Sequence, residues 1–340
     1  MAKATARRAT RSRKDPRPAM NSTEKPFVSV VVRCRNEAKH LPKLIYGLAR
    51  QDSQDFEVIL VDSGSEDESV ELAKRAGWRV LEISPQDFSF GRSLNIGCAA
   101  ANGELIVSLS AHVYPVRADF IENLTEVFNP SGHATVAYGR QVGDNRSHFS
   151  ERVLMAHWFP NERLSDQGHA FTNNANACFP KVLWEKLRFN EELTGLEDID
   201  FAQRALSGAG RVIYVDDAAV VHVHQERWAQ IRNRYRREAK AYKVIFPEEK
   251  MSLFMAVRLW ARNVARDALE AKRQGALGRE IGSIMIFRGN QFLGAWQGFR
   301  EVQPLKSELL GRMYHPPQSG DLFLEVDHPK IIDYGDFIDE

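Results

Sequence analysis

The feature of this sequence that most limits its fold is a regular alternation of short β-branched segments with segments of helical pattern, which begins at Phe27. Alternating strands and helices predict βαβ units, and βαβ units build a parallel sheet flanked by helices. We therefore expect an α/β fold of Rossmann-like type. The predicted strands are 28–32, 57–61, 79–83 and 104–110, and the helices between them are 38–50, 67–77 and 89–102. Further strands are predicted over 171–178, 211–215 and 218–224.

The composition of the chain disfavours several classes of protein. Its 340 residues are 43% hydrophobic and 27% charged, with a formal net charge of +1, as in ordinary globular proteins. No run of about 18 apolar residues predicts a membrane-spanning helix, and the first residues do not resemble a secretory signal. The three cysteines form no CxxC pair, which disfavours a disulfide framework and a cysteine zinc site. We therefore expect a cytoplasmic protein.

The first residues are strongly basic. Residues 1–20 contain seven Lys or Arg, one acidic residue, Asp15, and almost no large apolar side chain. A segment of this composition buries too little surface to fold alone. We predict a disordered basic tail over residues 1–25 that carries no catalytic residue. It is either a solvated tail or a patch that contacts anionic lipid or nucleic acid.

Polar residues follow the predicted strands at the edge where open α/β sheets bind ligands. Neither GxGxxG nor GxxxxGK[ST] follows any of these strands, which disfavours a dinucleotide-binding domain and a phosphate-loop NTPase. A pyrophosphate would then be bound by Arg side chains and a divalent cation. Asp62 suits hydrogen bonds to a base or ribose, or a turn of the backbone. The polar residues concerned are Arg33, Arg35, Asn36, Glu37, Asp62, Ser63, Arg92, Ser110 and His112.

Four carboxylates lie between Glu192 and Asp200, where a loop enters a predicted amphipathic helix. Acidic residues at a helix N-terminus are common because the helix dipole stabilises them. A carboxylate placed there beside a cleft also suits a general base. Both interpretations are open from the residues alone.

Histidines lie at the ends of two predicted strands. In the segment 218–224 the strand period places His222 and His224 on one face, and His112 follows the fourth strand. Histidines from distant segments commonly build a divalent metal site with open positions for substrate oxygens, although single histidines are common in cores and at surfaces. We predict a metal site formed by His112 with His222 or His224.

The order of these motifs resembles that of family 2 glycosyltransferases. The resemblance covers residues 26–245, and in its later part the chain is similar to bacterial rhamnosyltransferases. It implies a GT-A fold, which is a Rossmann-like mixed sheet flanked by helices. It also implies an inverting reaction, a nucleoside-diphosphate-sugar donor and Mn²⁺ or Mg²⁺. The matching segments are VSVVVRCRNE (28–37), DSGSED (62–67), FGRSLNIG (90–97), the polar end of the fourth strand, the pair Glu197-Asp198 and a late histidine.

The resemblance also implies roles for individual residues. Asp198 would be the base for the acceptor hydroxyl, with Glu197 as the alternative. Two residues, Asp62 and Arg92, would contact the nucleotide. The full set assigned to the nucleotide sugar is Arg33, Arg35, Asn36, Glu37, Asp62, Ser63, Arg92, Asn95 and Ser110.

One motif departs from the family pattern. The DxD metal motif after the fourth strand is replaced by Ser110-Ala111-His112. The polypeptide N-acetylgalactosaminyltransferases, which also have a GT-A fold, use DxH with a second histidine downstream, and His112 and His222 correspond to those positions. We therefore expect Mn²⁺ or Mg²⁺ bound with modest affinity.

The chain after the predicted catalytic domain, 26–245, is expected to form a helical extension over 246–312 and an irregular acidic tail over 313–340. A basic amphipathic helix in this extension either lies on a membrane or packs on the catalytic domain. The basic segment 228–243 carries no nucleic-acid-binding motif, and no nucleic acid partner is expected. The apolar stripe of the helix is Leu253, Val257, Trp260, Val264 and Ala268, flanked by Arg258, Arg262 and Arg266.

The sequence thus predicts a hexosyl- or rhamnosyltransferase that moves a sugar from a nucleoside diphosphate to a glycan or lipid-linked acceptor, in glycan or surface polysaccharide synthesis. Its expected place is the cytoplasm, with peripheral contact at the inner face of the cell membrane as an option. Because the DxD motif is eroded, a catalytically silent sugar-nucleotide-binding or scaffold protein is the alternative. A nucleotidyltransferase is disfavoured because no Gly-rich loop follows the first strand.

Overall fold

The computed structural model describes residues 26–128, 134–144, 146–162, 167–301 and 330–335. The predicted basic tail over 1–25 and most of the predicted acidic tail over 313–340 lie outside the described residues. The strands are β1 (Val28–Cys34), β2 (Phe56–Asp62), β3 (Arg79–Glu82), β4 (Leu105–Ser110), β5 (Val113–Pro115), β6 (Val136–Gly143), β7 (Asn176–Pro180) and β8 (Val212–His222). The helices are α1 (Leu41–Leu48), α2 (Ser69–Arg75), α3 (Phe90–Ala100), α4 (Phe120–Thr125), α5 (Phe149–Trp158), α6 (Lys181–Leu187), α7 (Glu197–Ser207), α8 (Trp228–Ile245), α9 (Leu253–Arg273) and α10 (Leu277–Arg300).

The eight described strands form one sheet in the order β3-β2-β1-β4-β7-β6-β8-β5. Strands β3, β2, β1 and β4 are parallel to one another. Strand β7 is antiparallel to both β4 and β6, β8 is parallel to β6, and β5 is antiparallel to β8. The predicted α/β class, with a mixed sheet flanked by helices and a C-terminal helical extension, is confirmed.

The central strands are buried on both faces of the sheet. In β1, Val30 and Val32 pack on the side of α1, whereas Val31 packs on the side of α3. Burying each such side chain contributes about 1.5–3 kcal/mol. This double burial explains why the first strand reads as a continuous run of apolar residues instead of an alternating pattern.

Two elements differ from the sequence-based expectation. The strand predicted over 171–178 begins only at Asn176, and residues 171–175 form a loop. The strands predicted over 211–215 and 218–224 form the single strand β8, whose pairing with β6 shifts register between Gly139 and Gln141. The shift absorbs the acidic residues Asp216 and Asp217, which interrupt the apolar pattern of the strand.

The last three described helices pack together. Helix α10 lies so close to α8 that a Cβ at Gly294 would stand 2.2 Å from the carbonyl of Arg232, and a Cβ at Gly298 would stand 2.2 Å from that of Arg236. Because α8 belongs to the predicted catalytic segment and α10 to the predicted extension, the helical layer is continuous across the predicted boundary at residue 245.

A buried ion pair ties α9 to α10. Arg288 donates from Nε to Asp267 at 2.6 Å, and both side chains are completely buried. Arg288 also donates to the carbonyl of Ser150 in α5 at 3.4 Å. In the part of the chain that the structure covers, no helix has both the length and the apolar composition needed to cross a bilayer.

Candidate active site

Three histidine side chains come together at one end of the sheet. His112 lies in the turn between β4 and β5, His222 ends β8, and His224 follows it. The β5–β8 ladder pairs Val113 with His222, and the backbone N–H of Val223 donates to the carbonyl of His112 at 3.2 Å. The rings of His112 and His222 stack with centroids 5.1 Å apart. One ring nitrogen of each of the three histidines lies within 4.8 Å of the others.

Each of these imidazoles is held at Nδ1 by an oxygen from a separate element. An acceptor at Nδ1 favours the tautomer that carries its proton there, which leaves the lone pair of Nε2 available. All three Nε2 atoms are therefore the candidate ligands. The Nδ1–oxygen distances are 2.7 Å from His112 to Glu37, 2.7 Å from His222 to Gln141, and 2.9 Å from His224 to Glu151.

The protonation of these histidines follows from their surroundings. Burial, together with the neighbouring imidazoles of His224 and His112, holds the pKa of His222 well below its usual range. Burial also disfavours the charged form of His112, but the Glu37 carboxylate outweighs it and raises the pKa of that imidazole. The Nε2 atom of His222 is buried and has no hydrogen-bond partner among the described residues. A buried lone pair without a partner is costly, and a cation would satisfy it.

The donor set fits a divalent metal ion. In protein metal sites a ligating histidine almost always donates its other N–H to an oxygen acceptor, as all three histidines do here. Glu151 also lies near His224 and Glu226. Its two oxygens, however, accept hydrogen bonds from Arg234 at 2.9 and 2.8 Å, so Glu151 orients His224 rather than serving as a ligand itself.

Glu197 and Asp198 begin α7 in different environments. Glu197 is 4% exposed, and its Oε1 accepts hydrogen bonds from Arg33 at 3.0 Å and from the side chain of Asn174 at 3.2 Å. Asp198 is less buried and accepts from the backbone N–H groups of Asn174 at 3.0 Å and Ile199 at 2.8 Å. The guanidinium of Arg33 thus holds Glu197 in place, and backbone N–H groups position Asp198.

The pKa of Asp198 is raised to about 7, first by burial and then by the charge of Glu197. The backbone donors and the charge of Arg33 act in the opposite direction without cancelling these effects. A carboxyl group that titrates near neutral pH is matched to accepting a proton from a substrate hydroxyl. Of the two predicted bases, Asp198 therefore has the more suitable environment.

The loop after β1 connects the two halves of the site. Arg33 contacts Glu197, and Glu37, four residues later, contacts His112. The charge of Arg33 opposes the upward shift in the pKa of both Asp198 and His112 without reversing it. The histidines and the carboxylates are therefore electrostatically connected through Arg33.

The loops after β1 and β2 are interlocked. The backbone of Asn36 is left-handed, with a φ of 53°; its N–H donates to Ser65 at 2.8 Å, and its side-chain oxygen accepts from Glu66 N at 2.7 Å. Asp62 is 2% exposed and accepts from the N–H groups of Gly64 and Ser65 at 2.9 and 2.8 Å. Asp62 therefore shapes this turn, and its contact with a nucleotide stays a prediction.

Several arginines lie near the start of α3. The guanidinium of Arg33 is 4.9 Å from the ring centroid of Phe90, and that of Arg237 is 5.1 Å from the same ring. Arg92 is exposed on the first turn of α3, two residues beyond Phe90. Arg35 is partly buried, and its Nε has no hydrogen-bond partner within the described ranges. These side chains offer cationic groups to an anionic ligand.

The side-chain amide of Asn95 is bonded to neighbouring protein groups. Its amide nitrogen donates to the carbonyl of Phe189 and to Glu191, and its oxygen accepts from the Trp184 indole and from Phe189 N, all between 2.8 and 2.9 Å. These four bonds satisfy the whole amide. Asn95 therefore supports the loop after α6 in this structure, and its contact with a donor stays a prediction.

The two serines that were predicted to bind the nucleotide sugar lie at the ends of strands β2 and β4. Ser110 ends β4 beside Arg33 of β1, and Ser63 follows β2. Both are buried, with exposures of 9% and 2%. Their contact with a donor also stays a prediction.

Sequence reasoning missed the residues that orient the site. Asn174, Gln141 and Glu151 lie in segments for which no catalytic residue was predicted. Arg234 belongs to the basic segment 228–243, but its partly buried side chain pairs with Glu151 and Glu226. The polar residues of 171–174 were the one sequence feature that pointed to these orienting residues. The segment that contains them was predicted to be a strand.

Comparison with known proteins identifies the domain. Residues 29–184 match the family model described as glycosyl transferase family 2. The chain is 24% identical over 210 residues to the O-antigen chain rhamnosyltransferase RfbN of Salmonella typhimurium strain LT2, covering 58% of this chain and 66% of that protein. It is also 24% identical over 205 residues to the O-antigen chain rhamnosyltransferase WbaN of Salmonella anatum, covering 56% of this chain and 64% of that protein. Each alignment thus spans slightly less than two thirds of the relative.

A solved structure has the same architecture. The mannosyltransferase PcManGT from Pyrobaculum calidifontis, determined in complex with GDP-Man and Mn²⁺, superposes with a TM-score of 0.58 at 18% identity, covering 82% of this chain and 88% of that one. At this identity the likeness shows the fold. Residues 29–184 therefore match the glycosyl transferase family 2 model, and the chain has a GT-A fold, as its sequence motifs predicted.

Proposed function

We propose that this protein is an inverting glycosyltransferase that transfers a sugar from a nucleoside diphosphate to a hydroxyl acceptor. The observation that carries the proposal is the placement of Asp198, a carboxyl group with a pKa of about 7, which the loop after β1 connects to three convergent imidazoles. The family of the domain supports the same reaction class.

The donor would lie along the ends of β1, β2 and β4. Asp62 and Asn36 shape the loops there and are the proposed contacts to the nucleoside. Arg33, Arg35 and Arg92 are the proposed cationic contacts to the diphosphate, because guanidinium groups bind phosphate oxygens through paired hydrogen bonds. Ser63 and Ser110 complete this edge.

A divalent metal ion would be held by His112, His222 and His224. When bound, it would offset negative charge on the diphosphate leaving group. Glu37, Gln141 and Glu151 keep the three imidazoles in the tautomer and orientation that this role requires.

The transfer requires removal of a proton from the acceptor. The acceptor oxygen forms a bond to the anomeric carbon as the bond from that carbon to the phosphate oxygen breaks, and the nucleoside diphosphate leaves with the electron pair. The carboxylate of Asp198 takes the hydroxyl proton in this step. Attack from the face opposite the leaving group inverts the configuration. Glu197 positions this base through its bonds to Arg33 and Asn174.

The acceptor is proposed to be a glycan or a lipid-linked saccharide. The two rhamnosyltransferase relatives are named for the O-antigen chain, which supports a role in surface polysaccharide synthesis and a hexosyl or rhamnosyl donor. A cavity of about 630 Å³ lies beside Ile199 and is lined partly by Phe171, Tyr242 and Phe246. Because α7, the helix that carries Asp198, forms part of its wall and its other walls are partly aromatic, we take this cavity as the proposed acceptor side of the site.

We also propose peripheral contact with the inner face of the cell membrane. The predicted apolar stripe of α9 is divided: Trp260 and Val264 contact neighbouring elements, whereas other apolar residues face solvent. The exposed apolar side chains are Leu253, Phe254, Val257 and Leu269, at 56%, 78%, 52% and 61%, and Arg258 and Arg262 lie exposed beside them. Apolar and cationic groups on one helix surface are complementary to an anionic bilayer.

The reaction is tested by incubating the protein with a panel of UDP-, GDP- and dTDP-sugars and measuring release of the nucleoside diphosphate. The proposal expects release from one class of donor by the wild type and little release by the Asp198→Asn variant. Binding of a sugar nucleotide without any turnover, with or without added glycan acceptors, would favour the silent binding protein.

A further inference from the structure

We infer that the site of His112, His222 and His224 selects a first-row transition-metal ion and discriminates against Mg²⁺. The inference rests on the proposed metal site and deepens it, because the sequence predicted either Mn²⁺ or Mg²⁺. It concerns ion binding, which is measurable without any glycosyl transfer.

The chemistry of the donors carries the inference. The group of ligand atoms within 4.8 Å of one another consists of three imidazole nitrogens and no carboxylate oxygen. Imidazole nitrogen suits ions such as Fe²⁺, Co²⁺, Ni²⁺ and Zn²⁺. Mg²⁺ is a hard cation that takes oxygen ligands and gives up its water reluctantly.

The carboxylates around the three histidines form hydrogen bonds and ion pairs with other groups. Glu37 and Glu151 accept hydrogen bonds at the Nδ1 atoms of His112 and His224, which places their bonded oxygens behind the imidazoles. Arg234 binds both oxygens of Glu151. At the position where a DxD motif supplies its first carboxylate, the chain has Ser110. Glu226, whose carboxylate lies within 4.8 Å of a ring nitrogen of His224, pairs with Arg234 at 2.7 Å. Among the described residues, the group formed by the three histidine nitrogens therefore includes no carboxylate oxygen that could bind Mg²⁺ directly.

The most deeply buried of the three ligands has an uncharged hydrogen-bond partner. His222 is 5% exposed, and its Nδ1 is bonded to the uncharged amide oxygen of Gln141. An imidazole with an amide behind it offers the lone pair of Nε2 to a metal ion but no carboxylate charge. This arrangement favours ions that bond strongly to nitrogen, with affinity rising from Mn²⁺ to Co²⁺ to Ni²⁺.

The test uses the full chain without nucleotide and follows Mn²⁺ by electron paramagnetic resonance, in which binding removes the six-line signal of the free aqua ion. We expect the wild type to bind Mn²⁺, Co²⁺ to displace it at similar concentrations, and a large excess of Mg²⁺ to leave it bound. Displacement of Mn²⁺ by comparable Mg²⁺ would overturn the selectivity while leaving the metal site intact. Absence of binding by Mn²⁺, Co²⁺ and Ni²⁺ would overturn both.

Variants locate the ion. His222→Gln should abolish Mn²⁺ binding, and His157→Gln, which changes an exposed histidine at the end of α5, should not. Gln141→Leu keeps all three ligands but removes the acceptor at Nδ1, and should weaken binding by roughly 10- to 100-fold. Thermal melting confirms that each variant is folded. Unchanged Mn²⁺ affinity in folded His222→Gln would show that the ion binds elsewhere and would overturn the inference.

Discussion

The guanidinium of Arg33 donates to the buried carboxylate of Glu197 at 3.0 Å, and this bond joins the end of β1 to the first turn of α7. It links segments 164 residues apart in sequence. Asp198, the next residue, is thereby held beside the strand ends where the donor is proposed to bind. The same β1 loop reaches His112 through Glu37, so one loop positions both the proposed base and the proposed metal site.

Asp198→Asn should remove most of the turnover. Asparagine has nearly the same shape and keeps an oxygen for one of the two backbone donors, but it does not take the proton from the acceptor hydroxyl. General base catalysis contributes about 10²- to 10⁴-fold, and kcat should fall within that range while nucleotide affinity stays close to that of the wild type. Steady-state kinetics and calorimetry measure the two quantities.

Asp200→Asn is the matched control for this substitution. Asp200 lies on the same turn of α7 but pairs with Arg204 at 2.7 Å, away from Asn174. Its loss should leave kcat near the wild-type value. Comparable losses in both variants would assign the effect to α7 as a whole and contradict the role of Asp198.

The rate should rise with pH through about 7. Only ionised Asp198 accepts the proton, and its pKa of about 7 means that the active form is lost as pH falls below that value. Glu197→Gln removes the like charge that raises this pKa, so the acidic limb of kcat/KM should move to lower pH. Glutamine still offers an oxygen to Arg33.

Glu192→Gln is the control for the pH profile, since Glu192 is exposed and does not contribute to the raised pKa of Asp198. Its profile should coincide with that of the wild type. A limb that stays in place in Glu197→Gln would mean that another group controls the rate.

Two glycines of α10 should respond in opposite directions to alanine. A Cβ at Gly294 would meet the carbonyl of Arg232 at 2.2 Å, whereas nothing lies within 4 Å of a Cβ at Gly282. Gly294→Ala should therefore destabilise the protein by about 1–3 kcal/mol, and Gly282→Ala should stabilise it by up to about 1 kcal/mol. Chemical denaturation measures both, and equal effects would contradict the close packing of α8 and α10.

The exposed face of α9 should bind anionic vesicles. The double variant Phe254→Asp and Val257→Asp places charge in the apolar patch and should abolish co-flotation with phosphatidylglycerol vesicles without lowering the melting temperature. Val182→Asp changes a residue on α6 that is 63% exposed and should leave flotation unchanged. Retained flotation of the double variant would exclude this face as the contact.

Local pattern predicted the parallel half of the sheet because β1, β2 and β4 are buried on both faces and read as apolar runs. The convergence of His112, His222 and His224 was also predictable, since strand ends in one sheet meet at one edge. Strand β5 escaped prediction because it has only three residues and depends on its pairing with β8. The contacts of Gln141, Glu151 and Arg234 depend on tertiary packing alone. Asn95 lies in a family motif, but its side chain bonds to the loop after α6 in this structure.

The most direct test of the proposed function is calorimetric titration of the protein with UDP, GDP and dTDP, each with and without Mn²⁺. We predict that one nucleotide binds, that Mn²⁺ strengthens its binding, and that His222→Gln removes the strengthening while His157→Gln preserves it. If none of the three nucleotides binds under either condition, the proposed donor site is wrong.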